Sequence, residues 1–272
     1  MNKQELFDAL ESLGMRPGRG LGQNFLLDGN LLDFIVRSAG VTESMNVLEV
    51  GPGFGALTRK MLEAGANVYA VEFDRRLAAY LRKELATEKF QLLEGDACKV
   101  DFVSFLPENE PFYAVANLPY AISSVFVARL LELANPPKRC FFMLQKEMAQ
   151  RLAADVHTGS YGALSVRAQM VYDFKIVRMV PPTVFYPPPA VESALLMGEL
   201  RTDTFDASAR KAADRLARMA FGQRRKKLTN TLGSTYTSAK VAEALTQIGV
   251  SVDARPENLT VANFIELSGI LQ

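Results

Sequence analysis

The stretch LEVGPGFGALT (Leu48–Thr58) constrains this chain more than any other segment. Strand-forming residues run up to Val50, three alternate glycines follow, and a helical pattern begins at once. Strand, tight turn and helix form the opening unit of an α/β fold, in which a crossover helix lets the next strand lie parallel. The pattern then repeats. ANVYAVEFD reads as a second strand with RRLAAYLRKELA as its helix, FQLLEGDA as a third strand, FYAVANLPY as a fourth, ISSVFVARLLELA as a helix and KRCFFMLQK as a fifth strand. A helix is expected from Asn30 to about Gly40, and later strands over residues 165–180 and 190–200. PPTVFYPPPAVES, between those last two, is too rich in proline for either regular element. The expectation is a mostly parallel sheet with helices on both faces.

Beyond Thr202 the period changes. ASARKAADRLARMAFG places Ala212, Leu216, Met219 and Ala220 on one helical face, and SAKVAEALTQIG and VANFIELSGILQ read as further helices. This predicts a large α/β domain over 1–200 and a small all-helical domain over 201–272. Charge divides in the same place. Residues 201–272 carry 11 Lys+Arg against 7 Asp+Glu, whereas the whole chain has a net charge of only +1. A polyanion contact is therefore expected in the C-terminal part.

Composition excludes several chemistries. With two cysteines (Cys98 and Cys140, neither in a CxxC) and one histidine (His157), neither a four-ligand zinc site nor a disulfide framework is expected. No run approaches the roughly 20 apolar residues of a membrane span. The first residues, MNKQELFDALESLG, form a short amphipathic helix rather than a leader, so a cytoplasmic protein is expected. No motif demands a second copy, and a monomer is expected.

Gly51, Gly53 and Gly55 are spaced G-x-G-x-G, without the third glycine position of a dinucleotide turn. By itself the motif divides evenly between a structural turn and a ligand site. The acids that follow shift the balance. Glu72 ends the second strand 21 residues after Gly51, where a carboxylate suits ribose hydroxyls. Asp96 ends the third strand and can accept from an adenine amine. Asn117 ends the fourth. Three polar side chains at successive strand ends face one crevice.

At this point the sequence resembles the ribosomal RNA adenine N6,N6-dimethyltransferases, which use S-adenosylmethionine. The matching pieces are LGQNFL, LEVGPGFGALT, VEFD, EGDA, NLPYAIS, FYPPPAVES and FGQRRKKL, in family order over nearly the whole chain. The resemblance implies a Rossmann-like methyltransferase domain. It implies that Gln23, Asn24 and Leu26 close over the cofactor and that Gly51 and Gly53 pass beneath its methionine moiety. Glu72 with Phe73 would hold the ribose side, Asp96 with Ala97 the adenine, and Asn117 would border the methyl donor. Ala121 departs from the asparagine more often expected after NLPY.

The adenine N6 lone pair is delocalised into the ring, so the amine needs orientation more than a strong base. Asn117 Oδ1 and the Leu118 carbonyl can accept its two N–H bonds, Pro119 stiffens the turn, and Tyr120 can stack on the base. Phe185 is expected on the opposite face of the base, as aromatic rings hold unstacked bases. For phosphate contact the candidates are Arg224, Arg225, Lys226 and Lys227, with Arg218 and Arg16, and with Arg210, Lys211, Arg215 and Arg19 nearby in sequence.

The implied reaction is N6,N6-dimethylation of two adjacent adenosines in a 3′-terminal hairpin of 16S rRNA, on a small ribosomal subunit assembly intermediate. FGQRRKKL and the helical C-terminal part favour that branch. Two alternatives stand beside it: a 23S rRNA adenine dimethyltransferase of the macrolide-resistance type, and a ribosome-assembly binding factor. A nicotinamide-dependent dehydrogenase is disfavoured by the glycine spacing.

Overall fold

The computed structural model describes residues 3–15, 24–203 and 205–272. In chain order the helices are α1 (Lys3–Ser12), α2 (Gly29–Ala39), α3 (Ala56–Glu63), α4 (Arg75–Glu84), α5 (Ser123–Leu130), α6 (Lys146–Leu152), α7 (Ala163–Gln169), α8 (Ala207–Phe221), α9 (Leu228–Thr231), α10 (Gly233–Tyr236), α11 (Ser238–Gln247) and α12 (Val261–Leu271). The strands are β1 (Phe25–Leu26), β2 (Asn46–Val50), β3 (Asn67–Glu72), β4 (Phe90–Glu94), β5 (Phe112–Asn117), β6 (Arg139–Gln145), β7 (Tyr172–Val180), β8 (Phe185–Tyr186) and β9 (Ser193–Leu200).

Two compact units result, residues 1–149 with 175–199 and residues 150–174 with 200–272. In the first, a seven-stranded sheet runs β4-β3-β2-β5-β6-β9-β7. The pairs β2–β3, β3–β4, β2–β5 and β5–β6 are parallel, and β9 runs antiparallel to β6. Strand order reverses between β2 and β5, which opens a crevice at their carboxyl ends. All five β2 residues are buried because both faces of the sheet are covered. On one face, Val47, Val68, Val115 and Phe141 pack with Leu32, Ile35 and Met61 of α2 and α3. The other face carries Phe142, whose ring meets Phe126 of α5 at 6.3 Å.

Helix ends follow local chemistry. Asp28 and Asp74 accept backbone N–H bonds from Leu31 and Arg76 and so start α2 and α4. Gly40, at φ 70°, stops α2 in the left-handed conformation that glycine adopts freely. α1 buries Leu6 and Leu10 against Phe54 and Leu77, and beside them Phe7 packs edge-on to Tyr186 at 4.8 Å.

The second unit departs from a domain made only of residues after 200. Residues 150–174 belong to it. Tyr161 Oη donates to the Leu259 carbonyl (3.0 Å), and the Gln169 amide donates to the Leu152 and Ala154 carbonyls. Phe221 packs between Tyr161 and Phe264, 5.9 Å from each. The first part of the strand expected over 165–180 is helix α7 (Ala163–Gln169), started by Ser165 Oγ accepting from Gly162 N–H (3.0 Å) and burying Ser165, Val166 and Ala168. On α8 the buried face is Ala213, Leu216, Ala217 and Ala220, one residue round from the stripe read in the sequence.

Arg224 is a structural residue of this unit. Its guanidinium donates to Glu257 Oε2 (2.8 Å), the Gly159 carbonyl (2.6 Å) and the Thr158 carbonyl (2.8 Å). Arg225, next to it, is exposed. Arg224→Ala therefore costs about 1–2 kcal/mol of stability, read as a lower midpoint in chemical denaturation, whereas Arg225→Ala leaves the midpoint unchanged.

Candidate active site

One cavity sits at the carboxyl edge of the sheet, at the β2/β5 reversal, and the chain reaches it through four turns. The first is the glycine turn after β2. Gly51 continues the ladder, its N–H bonding the Val71 carbonyl at 2.9 Å, and then takes φ 68°. A Cβ there would lie 2.9 Å from Pro119 Cγ, so the glycine supplies both the conformation and the clearance. Gly53, at φ 61°, has the Phe25 ring 3.2 Å from where a Cβ would stand. No side chain caps α3, which begins after Gly55.

Glu72 closes β3 and fixes the second turn. Its Oε2 accepts from Gly53 N–H (3.2 Å) and its Oε1 from Asp74 N–H (2.8 Å), so one carboxylate ties two turns together. It is 6 % exposed, and burial raises its pKa against the lowering effect of those N–H groups. Phe73 follows it and is 63 % exposed, an apolar face on the cavity wall. The third turn follows β4. Asp96 accepts from Cys98 N–H (2.9 Å), which holds its carboxyl below the ordinary range, and Ala97 lines the cavity beside it.

β5 delivers the fourth turn. The Asn117 amide donates from Nδ2 to the Asn24 carbonyl at 3.2 Å. That leaves Oδ1 as its acceptor for a ligand. Leu118 N–H bonds the Met143 carbonyl, and Ile122 N–H the Pro119 carbonyl, which shapes NLPY as a compact turn. Tyr120 lines the cavity and its hydroxyl meets Ser193 Oγ at 2.5 Å. Asn24 and Leu26 complete the wall from the N-terminal side.

Several sequence expectations are redirected. Phe185 does not line the cavity: it is 4 % exposed and packs in the core, because β8 pairs with β1 and sets Phe185 opposite Leu26. A role against a substrate base requires its ring to leave that packing. The proline-rich segment thus does hold a strand, two residues long. Gln23, Arg16 and Arg19 lie outside the described residues. Of the basic run, Arg224 is taken by its structural bonds. Lys227 pairs with Asp253 (2.7 Å) and Arg218 with Asp214 (3.0 Å), both exposed pairs of small energy. Arg225 and Lys226 are exposed. Neither thiol is activated, since Cys140 is in the core and burial raises Cys98. Among the described residues no group of His, Cys, Asp or Glu is placed to hold a metal, and no helix is long and apolar enough to cross a membrane.

One site residue was missed in the sequence, Glu49. It is 2 % exposed, lines the cavity floor and accepts from Thr58 Oγ1 at 2.7 Å. Burial, followed by the nearby Glu72 charge, outweighs that bond and pushes its pKa up to about 8. An acid inside the apolar strand NVLEV, directly before a glycine turn, was the available signal. Folding then favours the protonated carboxyl. The stability this contributes is complete below the ordinary value of 4.5 and is lost as pH rises through about 8. Relative to wild type, Glu49→Gln gains stability progressively from about pH 4.5 to about 8, by at most a few kcal/mol, and the gain levels off above that. Denaturation midpoints of both proteins across this range measure the difference.

Comparison with known proteins agrees with this geometry. The sequence model of the family described as Ribosomal RNA adenine dimethylase matches residues 17–272. The ribosomal RNA small subunit methyltransferase A of Ligilactobacillus salivarius is 38% identical over 96% of this chain and 92% of its own length. Its counterpart in Listeria monocytogenes is 35% identical over 97% and 94%. Among solved structures, a dimethyladenosine transferase from Plasmodium falciparum superposes with a TM-score of 0.76, at 25% identity over 89% of this chain and 95% of that one. The 23S rRNA methyltransferase ErmE gives 0.71, at 27% identity over 91% and 99%. With its glycine turn, strand-end carboxylates and NLPY turn around one cavity, this chain belongs to the ribosomal RNA adenine dimethylase family and is an enzyme of that family.

Proposed function

We propose that the protein transfers methyl groups from S-adenosylmethionine to the N6 atoms of two adjacent adenosines in a 3′-terminal hairpin of small-subunit (16S) rRNA, within an assembly intermediate. The observation that carries the chemistry is the Asn117 amide. Its Nδ2 is committed to Asn24, so Oδ1 can accept from an adenine N6 amine at the cavity where the glycine turn passes. The small-subunit target rests on the relatives named for that subunit.

The cofactor fits the residues present. Gly51 and Gly53 have no side chain to obstruct a ligand laid along the turn, Glu72 presents a carboxylate for hydroxyls, and Phe73 offers an exposed apolar face. Burial holds Glu49 largely protonated at neutral pH and raises Glu72, and a cation bound over them would favour their ionised forms, so binding of a sulfonium and ionisation of the floor would support each other. Bound there, the sulfonium supplies an electrophilic methyl group. The protein's own part is positioning. Asn117 Oδ1 and the Leu118 carbonyl accept the two N–H bonds and turn the nitrogen lone pair out of conjugation. Tyr120 stacks on the base and fixes the line of attack. No general base is required, because the amine proton becomes acidic once the methyl group has arrived. Asn117→Ala lowers methyl transfer by about 100-fold or more, a larger loss than that in cofactor affinity, which falls because Asn24 loses its bond to the amide. Single-turnover kinetics and calorimetric titration separate the two quantities.

The decisive experiment offers labelled cofactor to undermethylated small subunits, naked 16S rRNA and undermethylated 23S rRNA, followed by digestion to nucleosides. Label in N6,N6-dimethyladenosine from small subunits alone is the expected result. Label in 23S rRNA moves the enzyme to the other branch, and binding without transfer leaves an assembly factor.

Arg225 and Lys226, exposed beside the structural Arg224, are the cations of the basic run best placed for rRNA phosphate. The double variant Arg225→Ala, Lys226→Ala weakens RNA binding without changing sequence preference. It reduces the slope of log K against log salt by roughly 2, measured by filter binding at several salt concentrations.

A further inference from the structure

The structure contains a buried hydroxyl that the reaction as described does not use. Ser193 is 0 % exposed and opens β9, with its Oγ 2.5 Å from the Tyr120 hydroxyl. From the geometry we infer that Ser193 is a positioning residue, which sets the plane of the Tyr120 ring at the cavity and thereby controls the second methyl transfer. This rests on the proposed adenine N6 dimethylation.

Position comes first. β9 is antiparallel to β6, so its first residue lies at the sheet edge where β5 and β6 end, and Ser193 pairs with Gln145, the last residue of β6. The residue before it, Glu192, is tied twice to Lys146. Lys146 N–H bonds the Glu192 carbonyl (3.0 Å), and Lys146 Nζ pairs with Glu192 Oε2 (2.7 Å). Tyr120, by contrast, stands on a turn, with Ala121 after it exposed. The Tyr120 carbonyl accepts from Ser123 Oγ (3.2 Å), so the backbone of the residue is anchored at one end and its hydroxyl at the other. A ring held only by its backbone can rotate about its side-chain bonds, and a second bond at the far end of the ring removes that freedom. Burial raises the Tyr120 pKa despite the Ser193 bond, so the phenol remains a neutral partner at physiological pH.

The chemistry explains why the second transfer is the sensitive one. Unmodified adenine presents two N–H bonds to Asn117 and Leu118, so two hydrogen bonds align the nitrogen. After the first transfer one N–H is gone, and the methyl group must fit while the remaining N–H stays oriented. Stacking on Tyr120 then carries more of the alignment, and a loosened ring costs the second step more than the first. In each step the N6 lone pair forms the new C–N bond, the S–CH3 bond breaks with its electrons passing to sulfur, and the amine proton leaves to solvent.

The test compares wild type, Ser193→Ala, Tyr120→Phe and the double variant, with Ser193→Thr as the rescue that keeps a hydroxyl. Cofactor affinity, the rates of the two transfers and the ratio of monomethyl to dimethyl adenosine are measured on undermethylated RNA. Both single variants should bind cofactor like wild type, slow the second transfer by about 10-fold or more and accumulate monomethyladenosine. The double variant should be no worse than the slower single one, and Ser193→Thr should recover dimethylation. An unchanged product ratio in both single variants overturns the inference, and so do independent, multiplicative losses. The 13Cζ resonance of Tyr120 in the ligand-free protein gives a readout that does not depend on the reaction, and it should shift on Ser193→Ala. An unshifted signal overturns the contact even if the wild type forms no N6-methyl product on any RNA, a result that on its own would sink the proposed function.

Discussion

Gly51 faces Pro119 with no room for a side chain between them, and the site is organised around that close approach. β2 and β5 are parallel neighbours whose chains leave the sheet in different directions, so a crevice opens where they end. A crevice alone fixes no distances. Here the turn after β2 and the turn after β5 approach until a methyl group on Gly51 would stand 2.9 Å from the proline ring. The proline ring is stiff and fills the space a side chain would need, so this approach of the two turns requires glycine at 51. In the proposed reaction the turn after β2 would run beneath the methyl donor and the turn after β5 would present an amide oxygen to the acceptor. Methyl transfer depends on that separation more than on the strength of any acid or base, because it is governed by alignment.

The same crowding sets the electrostatics. Glu49 and Glu72 are buried on neighbouring strands, and each is supported by few bonds, Thr58 for one and two backbone N–H groups for the other. Buried carboxyls with so little support resist ionisation, and Glu49 carries most of that resistance. An apolar core residue at 49 would serve stability better. The protein keeps an acid there, and a cation bound over Glu49 and Glu72 would favour their ionised forms. The site thus carries a stability cost, as functional sites do when they break local rules that the rest of the fold obeys.

Much of this was legible in the sequence because its signals are local. Strand runs ending at Glu72 and Asn117, and two residues short of Asp96, state their own boundaries, and a glycine turn between a strand and a helix admits few geometries. Features fixed by distant partners were not legible. Residues 150–174 join the second unit through Tyr161 bonding Leu259 and through Phe221, which nothing near residue 161 announces. β8 escaped notice because its partner among the described residues is a two-residue strand about 160 positions earlier, and prolines surround it. Arg224 looked like its three neighbours. A run of charges does not reveal which guanidinium has found Glu257 and two carbonyls. Glu49 was hidden for the opposite reason, since a residue in the middle of a buried strand reads as packing whatever its chemistry.

Strand direction accounts for the remaining piece. A parallel strand at the β9 position would bring its last residue to the catalytic edge and lead the chain away into a helix. The reversal brings the first residue instead, so the chain arrives at the site from the segment that precedes it. That segment is pinned at both ends: Phe185 and Tyr186 bridge to Leu26 and Phe25, and Ser193 enters the sheet against Gln145. Leu26 and Phe25 are themselves cavity residues. The proline-rich stretch is therefore suspended between the wall that borders the glycine turn and the hydroxyl that meets Tyr120. Its prolines reduce the entropy of holding it there, and its two anchors connect the Phe25–Leu26 wall of the cavity to the Tyr120 wall.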